Sequence, residues 1–420
     1  LEEMRAHDDL PAPDIVDFLR HILIETAPAD DDVLKARRLF QQLSSPAMAK
    51  GVEDTLFYRD HRLLALNEVG CEPERPDPSL QRFHRKMAER QKHQLLSLSA
   101  TATHDTKRGE DARARLFALT ADPERWLNGF LRWREANSRL VREVDTRPAP
   151  EPELEWMIYQ ALMAVWPDGL NADDGDGIAA LRDRFSQFLQ KAVREAKLRT
   201  SWTDIGEAYE AAVQDYASLL LQPGSAFLAG FVRETEPFRA AGRQNALSQL
   251  LIKLTAPGVP DIYQGSELGD FSLVDPDNRR SVDFTLLQKL VETGYPSNSL
   301  GHCKAKILTA GLAARRRHPD LLTSGEYLPL EIECEECSSL VVYARVGQST
   351  SAIVVAPRLV AVGETRRPRQ WPGTKITLPA PLAGRRYADL ISGADIHAKG
   401  TVAVAEVLGD MPCALLVSGG

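Results

Sequence analysis

The adjacent residues His104 and Asp105 carry the clearest chemical potential in this sequence. A carboxylate accepts hydrogen bonds and steadies developing positive charge, and a neighbouring imidazole can donate to the same ligand. The pair closes a small and apolar run, residues 95–103, that reads as a buried strand, and a charged helical pattern follows over residues 107–119. The C-terminal end of a buried parallel strand is where barrel enzymes build their sites, because the βα loops converge on that face. Taken alone, the pair also has a plainer reading, in which Asp105 caps the following helix by accepting its first free N–H groups.

Other candidate groups gather in three stretches. Residues 50–70 mix aromatic, charged and small residues, with Lys50, Phe57 and Tyr58 near the start. Arg108, Glu110 and Asp111 follow the His-Asp pair directly and read best as an ion-pair cluster fixing a loop. Tyr263, Gln264 and Glu267 lie after a short strand, and Asp275, Asp277, Asn278 and Arg279 form a polar loop that either reaches a ligand or anchors itself. Phe57 and Tyr58 divide evenly between walling a binding site and packing in the core. The acidic runs at 30–32 and 173–176 lack the spacing of a calcium loop and read as solvated turns.

The elements that must hold these groups follow from periodicity. Ile15, Phe18, Leu19, Ile22 and Leu23 share one helical face, and Leu34, Leu39, Phe40 and Leu43 repeat the pattern until Pro46, which is expected to stop it. A helix over 81–96 leads into the first strand. From 112 to about 241 the pattern is helical, with stripes at Trp126, Phe130 and Trp133 and at Trp156, Tyr159, Leu162 and Met163; breaks fall at 144–152 and 171–177. Pro257-Gly258 makes a turn, 259–263 a short strand and 305–317 a helix. Beyond Pro319, short alternating segments at 327–333, 339–345, 352–356, 375–378, 386–391, 401–407 and 413–417 predict a small antiparallel sandwich, with an exposed, mobile loop at 363–373.

Composition narrows the function. The chain has 420 residues and a formal net charge of −8, from 51 basic and 59 acidic residues, with no basic stripe interleaved with aromatics. Nucleic acid is therefore excluded as an expected partner. The apolar runs are too short to span a bilayer, and the polar, acidic N-terminus lacks the features of a signal peptide. Five cysteines, an odd number, fit reduced thiols and a cytoplasmic location; Cys334 and Cys337 read as neighbours in a hairpin, since no second pair completes a zinc site.

Together the motifs resemble the α-amylase superfamily of glycoside hydrolases. ATATHD at 100–105 is similar to its strand-seven motif and GVPDIYQGSE at 258–267 to its strand-eight motif. KGVEDTLFYR, LNEVG, THDTKRGEDAR, SWTD and LVDPDNRR, in that order, narrow the resemblance to its trehalose-forming glucan mutases, the maltooligosyltrehalose synthase family. Gly269, Ser281 and Ile205-Gly206 depart from that family's pattern. The resemblance implies an α/β fold: the C-terminal part of a (β/α)8 barrel in 1–111, a large helical insertion in 112–241, the last barrel strand and helix in 242–320, and a C-terminal β-sandwich in 321–420.

It also implies an isomerase that turns the reducing-end α-1,4 linkage of a maltooligosaccharide into an α,α-1,1 trehalose linkage, works alongside a trehalohydrolase in one pathway, and needs no cofactor and no metal. Asp105 becomes the carboxylate that binds sugar hydroxyls as the transition state forms, and His104 a donor to the same glucose. Lys50 contacts the reducing-end glucose, with Phe57, Tyr58, Arg108, Tyr263 and Gln264 lining the substrate. Retaining chemistry needs two more carboxyl groups about 5 Å apart, and neither motif precedes Asp105 in this sequence. The chain is thus expected to be part of a larger enzyme, without turnover of its own. A glucan hydrolase of the same superfamily and a non-catalytic glucan-binding piece are the alternatives.

Overall fold

A computed structural model describes residues 13–24, 30–73, 79–294, 299–333, 339–358, 360, 362–363 and 371–419. Helices dominate up to residue 323. The aromatic stripes do what their spacing predicts. Trp126 and Trp133 of α5 (Pro123–Ala136), Tyr159 of α6 (Pro152–Val165) and Phe231 of α9 (Ala226–Thr255) are buried in one core. Their rings meet edge-on or tilted, with Trp133 and Phe231 centroids 4.8 Å apart. Such contacts add to the burial of large apolar surfaces. Helices α7 (Gly175–Ala196) and α8 (Glu207–Leu220) complete this layer. A hairpin, β2 (Arg142–Val144) with β3 (Arg147–Ala149), occupies the proline-bearing break between α5 and α6.

The boundary expected at 241–242 falls inside α9, a single helix of 30 residues. The reason lies in its packing against α4 (Glu110–Ala118): Gly242 faces Arg115, and a Cβ there would come within 2.6 Å of the Arg115 Cα. Small residues let the two helices touch, so the chain gains by continuing the helix across the proposed border.

Two short strands run parallel, β1 (Leu98–Ser99) and β4 (Val259–Pro260), with Leu98 opposite Val259. α3 (Leu80–His93) precedes β1, and α11 (Leu300–Arg317) packs along α9. The buried strand expected at 95–103 is corrected: it is two residues long, and Leu98 is 69% exposed. Among the described residues each strand has one neighbour, and the Leu98 and Val259 side chains are exposed.

After α12 (Pro319–Thr323) the chain turns to antiparallel sheets. One has six strands in the order β11-β10-β13-β8-β7-β5 and the other three, β12-β9-β6. The ranges are β5 (Glu326–Pro329), β6 (Glu331–Glu333), β7 (Leu340–Val346), β8 (Ser351–Pro357), β9 (Lys375–Thr377), β10 (Arg385–Asp389), β11 (Asp395–Ala398), β12 (Thr401–Ala403) and β13 (Ala414–Ser418). Val342, Ile353 and Leu416 on one face of the larger sheet share a core with Ile376 and Val402 of the smaller. On the other face Tyr343, Val354 and Leu415 pack with Leu250 and Ile307 of the helices. Strands buried on both faces read as continuous apolar runs, as LVVYARV does.

Several expectations are corrected. Residues 401–407 are a short strand followed by α13 (Val404–Leu408) rather than one strand. β11 was hidden because its alternation rests on only Ile396 and Ala398. α10 (Phe284–Thr293), capped by Asp283, was missed although Phe284, Leu287, Leu290 and Val291 recur at helical spacing, and it buries none of its residues. Pro46 does not stop α2 (Asp31–Met48), the helix after α1 (Pro13–Leu23). It sits in the last turn, and a π-helical turn over residues 49–53 carries the chain on. The cysteine pair at 334 and 337 and most of the loop at 363–373 lie outside the described residues.

Candidate active site

Past β1 the chain makes a tight turn. The Thr106 hydroxyl donates to the Thr103 carbonyl at 2.9 Å and accepts from the Thr103 N–H at 3.2 Å, while the Asp105 N–H donates to the Thr103 hydroxyl at 3.1 Å. This leaves the His104 and Asp105 side chains exposed. Asp105 does not cap the following helix, since Gly109 occupies the cap position of α4.

The turn is clamped from two sides. Glu68, 5% exposed, accepts from the N–H groups of Lys107 at 2.8 Å and Arg108 at 3.3 Å, and from the Arg113 guanidinium at 2.8 Å. From the other side, the amide nitrogen of buried Asn278 donates to the carbonyls of His104 at 3.0 Å and Thr106 at 3.2 Å. The Tyr263 hydroxyl in turn donates to the Asn278 carbonyl at 3.0 Å. Backbone held this way keeps neighbouring side chains in place without using them.

A charged triad lies beside the turn. Asp54 accepts from Lys50 at 2.5 Å and Lys107 at 3.0 Å. Partial burial pushes the Asp54 carboxyl up, but the two ammonium groups prevail and hold it below the usual carboxylate range. The hydrogen bond and charge of Asp54 raise Lys50, and Glu195 and Asp105 add to this from nearby. The carboxylate of Asp105 and the ammonium of Lys50 therefore share one electrostatic neighbourhood. The exposed Asp105 carboxylate can accept hydrogen bonds from a polyhydroxylated ligand, and the exposed Lys50 ammonium can donate them.

No family model matches the chain. Two Mycobacterium tuberculosis proteins, from two strains, are assigned as maltooligosyl trehalose synthases; each is 36% identical to it over 379 residues, which are 90% of this chain and 45% of the relative. The chain is a homologue of the maltooligosyltrehalose synthases. The structure of the Arthrobacter ramosus synthase superposes with a TM-score of 0.75 at 34% identity, covering 93% of this chain and 47% of that one. Another maltooligosyl trehalose synthase structure matches with a TM-score of 0.72 at 25% identity, over 100% of this chain and 55% of that one. The chain spans about half the length of the synthases it matches.

The residues expected to touch substrate divide sharply in this synthase homologue. His104, Asp105, Lys50 and Gln264 are exposed, and Tyr263 is half-buried behind the turn. Phe57 and Tyr58, 3% and 8% exposed, offer no ring face to a ligand. Tyr58 joins the helical core, its hydroxyl unpartnered and its pKa raised by burial. Arg108 is also inward, its guanidinium 3.4 Å from the Leu64 carbonyl. The reason in each case is the closing of segment 55–68 over α6, where Gln160 accepts from the Leu64 N–H at 3.1 Å and donates to the His61 carbonyl at 2.9 Å. Asn278 proves to be an anchor.

Glu110 and Asp111 do form an ion-pair cluster, but with lysines from distant helices rather than with Arg108. Lys304 of α11 bonds Glu110 at 2.8 Å and Asp111 at 2.7 Å, and Lys253 of α9 bonds Glu110 at 2.8 Å and the Thr101 hydroxyl at 2.7 Å. Asp111 also accepts from the Asp270 N–H at 2.6 Å. Burial opposes ionisation of Glu110, yet the two ammonium groups draw its pKa down to about 2. Sequence reasoning missed Asp54, Glu68 and Lys107. Their signal was present, since Lys107 stands two residues past Asp105 and Glu68 within LNEVG.

Proposed function

We propose that this chain is the portion of a maltooligosyltrehalose synthase that carries Asp105, and that it binds the reducing end of an α-1,4-glucan. The observation that carries the reading is the exposed Asp105 on a clamped turn, beside the Lys50–Asp54–Lys107 ion pairs, in a homologue of that enzyme. The two parallel strands, with α9 between them and α11 after, fit the last part of an α-amylase-like barrel, and the antiparallel sheets fit its terminal sandwich.

In the complete enzyme the last α-1,4 bond breaks, the chain is held as a covalent glycosyl-enzyme, and the freed glucose attacks through its own anomeric hydroxyl. Two inversions at the same carbon leave an α,α-1,1 linkage. Asp105 accepts hydrogen bonds from sugar hydroxyls, more strongly as the ring flattens toward an oxocarbenium ion. Lys50, tied to Asp54 and exposed, holds the glucose while it turns, because an ammonium offers three donors without fixing one orientation, and buried Lys107 steadies Asp54 from behind. No carboxylate pair for nucleophile and acid is supplied by the motifs of this sequence. A trehalohydrolase would consume the product, in the cytoplasm.

The test uses maltopentaose. The 420-residue chain alone is expected to bind it and form no trehalosyl product. When covalently continued with the other half of a synthase, it is expected to yield mostly trehalosyl-maltooligosaccharide. Glucose and short maltodextrins as main products would make it a hydrolase, and turnover by the chain alone would remove the need for other carboxylates. In the complete enzyme, Asp105→Asn is expected to lower kcat by at least about a hundredfold, the scale of one lost transition-state contact in a preorganised site, with little change in glucan affinity.

A further inference from the structure

Trp202 is 52% exposed, whereas Trp126, Trp133 and Trp166 of the helical layer are buried. It stands at the tip of a turn closed twice, by the Ser201 N–H to the Asp204 carbonyl at 2.8 Å and by the Asp204 N–H to the Ser201 hydroxyl at 3.0 Å. Its indole N–H donates to Glu195 at 3.1 Å. The Arg194 guanidinium lies against the ring, 4.9 Å from the centroid, and is itself held by Glu210 through two bonds of 2.8 Å. The ring is thus fixed at its edge and backed by a cation, yet more than half of its surface remains open to solvent.

Its position ties it to the site. Glu195 is one of the carboxylates acting on Lys50. The end of α7 is stitched to the segment after Lys50, with Arg59 donating to the Ala196 carbonyl at 2.6 Å and Lys197 to the Thr55 hydroxyl at 3.3 Å. Lys197 adopts the left-handed conformation, with φ of 52°, which ends the helix and sends the chain out to the turn bearing Trp202. A glucose ring has an apolar C–H face, and a rigid aromatic surface beside polar and charged groups is the arrangement that binds such a ring.

We propose that Trp202 is a stacking platform for a glucose unit of the α-1,4-glucan, on the Lys50 side of the site and pre-set by Glu195 and Arg194. This rests on the glucan-binding reading above and adds to it a specific subsite. The platform selects for the face of the sugar, while Lys50 addresses its hydroxyls.

The test is calorimetric titration of the 420-residue chain with maltoheptaose, for the native protein, Trp202→Phe and Trp202→Ala. The Ala variant is expected to lose about tenfold in affinity and the Phe variant about threefold or less, the range of one aromatic contact. Thermal midpoints should stay unchanged, because the ring is exposed. Maltoheptaose should also shift the tryptophan emission of the native chain but not that of the Phe variant. If the native chain binds and the Ala variant binds equally well, the platform is wrong and the glucan reading stands. If the native chain binds no maltoheptaose, the glucan reading itself falls and the platform with it. Should Trp202→Ala lower the thermal midpoint, the Phe variant decides: an emission shift with maltoheptaose that persists in Trp202→Phe overturns the proposal, and one confined to the native chain upholds it.

Discussion

Glu68 illustrates how much one buried carboxylate can organise at the level of single residues. It holds two backbone N–H groups just past Asp105 and neutralises Arg113, whose other end donates to the Thr101 carbonyl at 2.5 Å. Glu68→Gln keeps the shape but removes the charge opposite a nearly buried guanidinium. Breaking a buried pair from one side costs about 3–5 kcal/mol, so denaturant titration should show a loss of that order. Glu110 sets a pH dependence. Its folded pKa is drawn to about 2 against an ordinary 4.5, so its contribution is complete above the ordinary value and disappears as pH falls through the folded one. Asp111 is shifted upward, chiefly by burial, and works in the opposite sense. Acid titration of stability between pH 4.5 and 2 should therefore be flatter in Glu110→Gln than in the native chain. An equally steep loss in the variant would mean that other carboxylates carry the acid sensitivity.

At the scale of elements, the contact between α4 and α9 depends on Gly242. A methyl group there would meet the Arg115 side chain at 2.5 Å and its backbone at 2.6 Å. Gly242→Ala is expected to destabilise the chain by about 1–3 kcal/mol, the usual cost of overpacking, despite the higher helix propensity of alanine. A rise in thermal midpoint would show that the helices can part without penalty. The same packing explains what could be read from the sequence. Long helices with aromatic stripes, such as α5 and α6, were legible because one face meets one core. The strand before His104 was misjudged because its apolar residues sit where only one neighbour is present, and apolarity alone does not reveal burial. The position of Asp105 off the helix start was not legible, because the helical pattern reads from residue 107 while α4 begins at Glu110 behind Gly109. Nor was the inward turn of Tyr58 and Arg108, because it depends on Gln160, which holds Leu64 from 96 residues away in sequence.

For the molecule as a whole, the helical layer and the sheets are joined by buried charge as well as apolar contact. Arg345 of β7, fully buried, donates to the Thr255 carbonyl at 2.9 Å at the end of α9 and to the Gly325 carbonyl at 2.9 Å. The Thr255 and Tyr343 hydroxyls lie 2.6 Å apart at the same junction. Arg345→Met would take the Arg345 donor from the Thr255 carbonyl in a dry setting, at a cost of about 1–3 kcal/mol, while the Gly325 carbonyl keeps its bond from Gln91 at 2.9 Å. Limited proteolysis should then release the sheets from the helices at lower temperature than in the native chain. Unchanged protection would place the cohesion of the two layers in their apolar contacts alone. The exposed flanks of β1 and β4 act at this scale too. Their exposed apolar side chains, Leu98 and Val259, on strands that each have one neighbour among the described residues, form an adhesive seam. A concentrated solution of the purified polypeptide should consequently drift toward dimers or larger clusters, and a lysine placed at Leu98 should keep it dispersed.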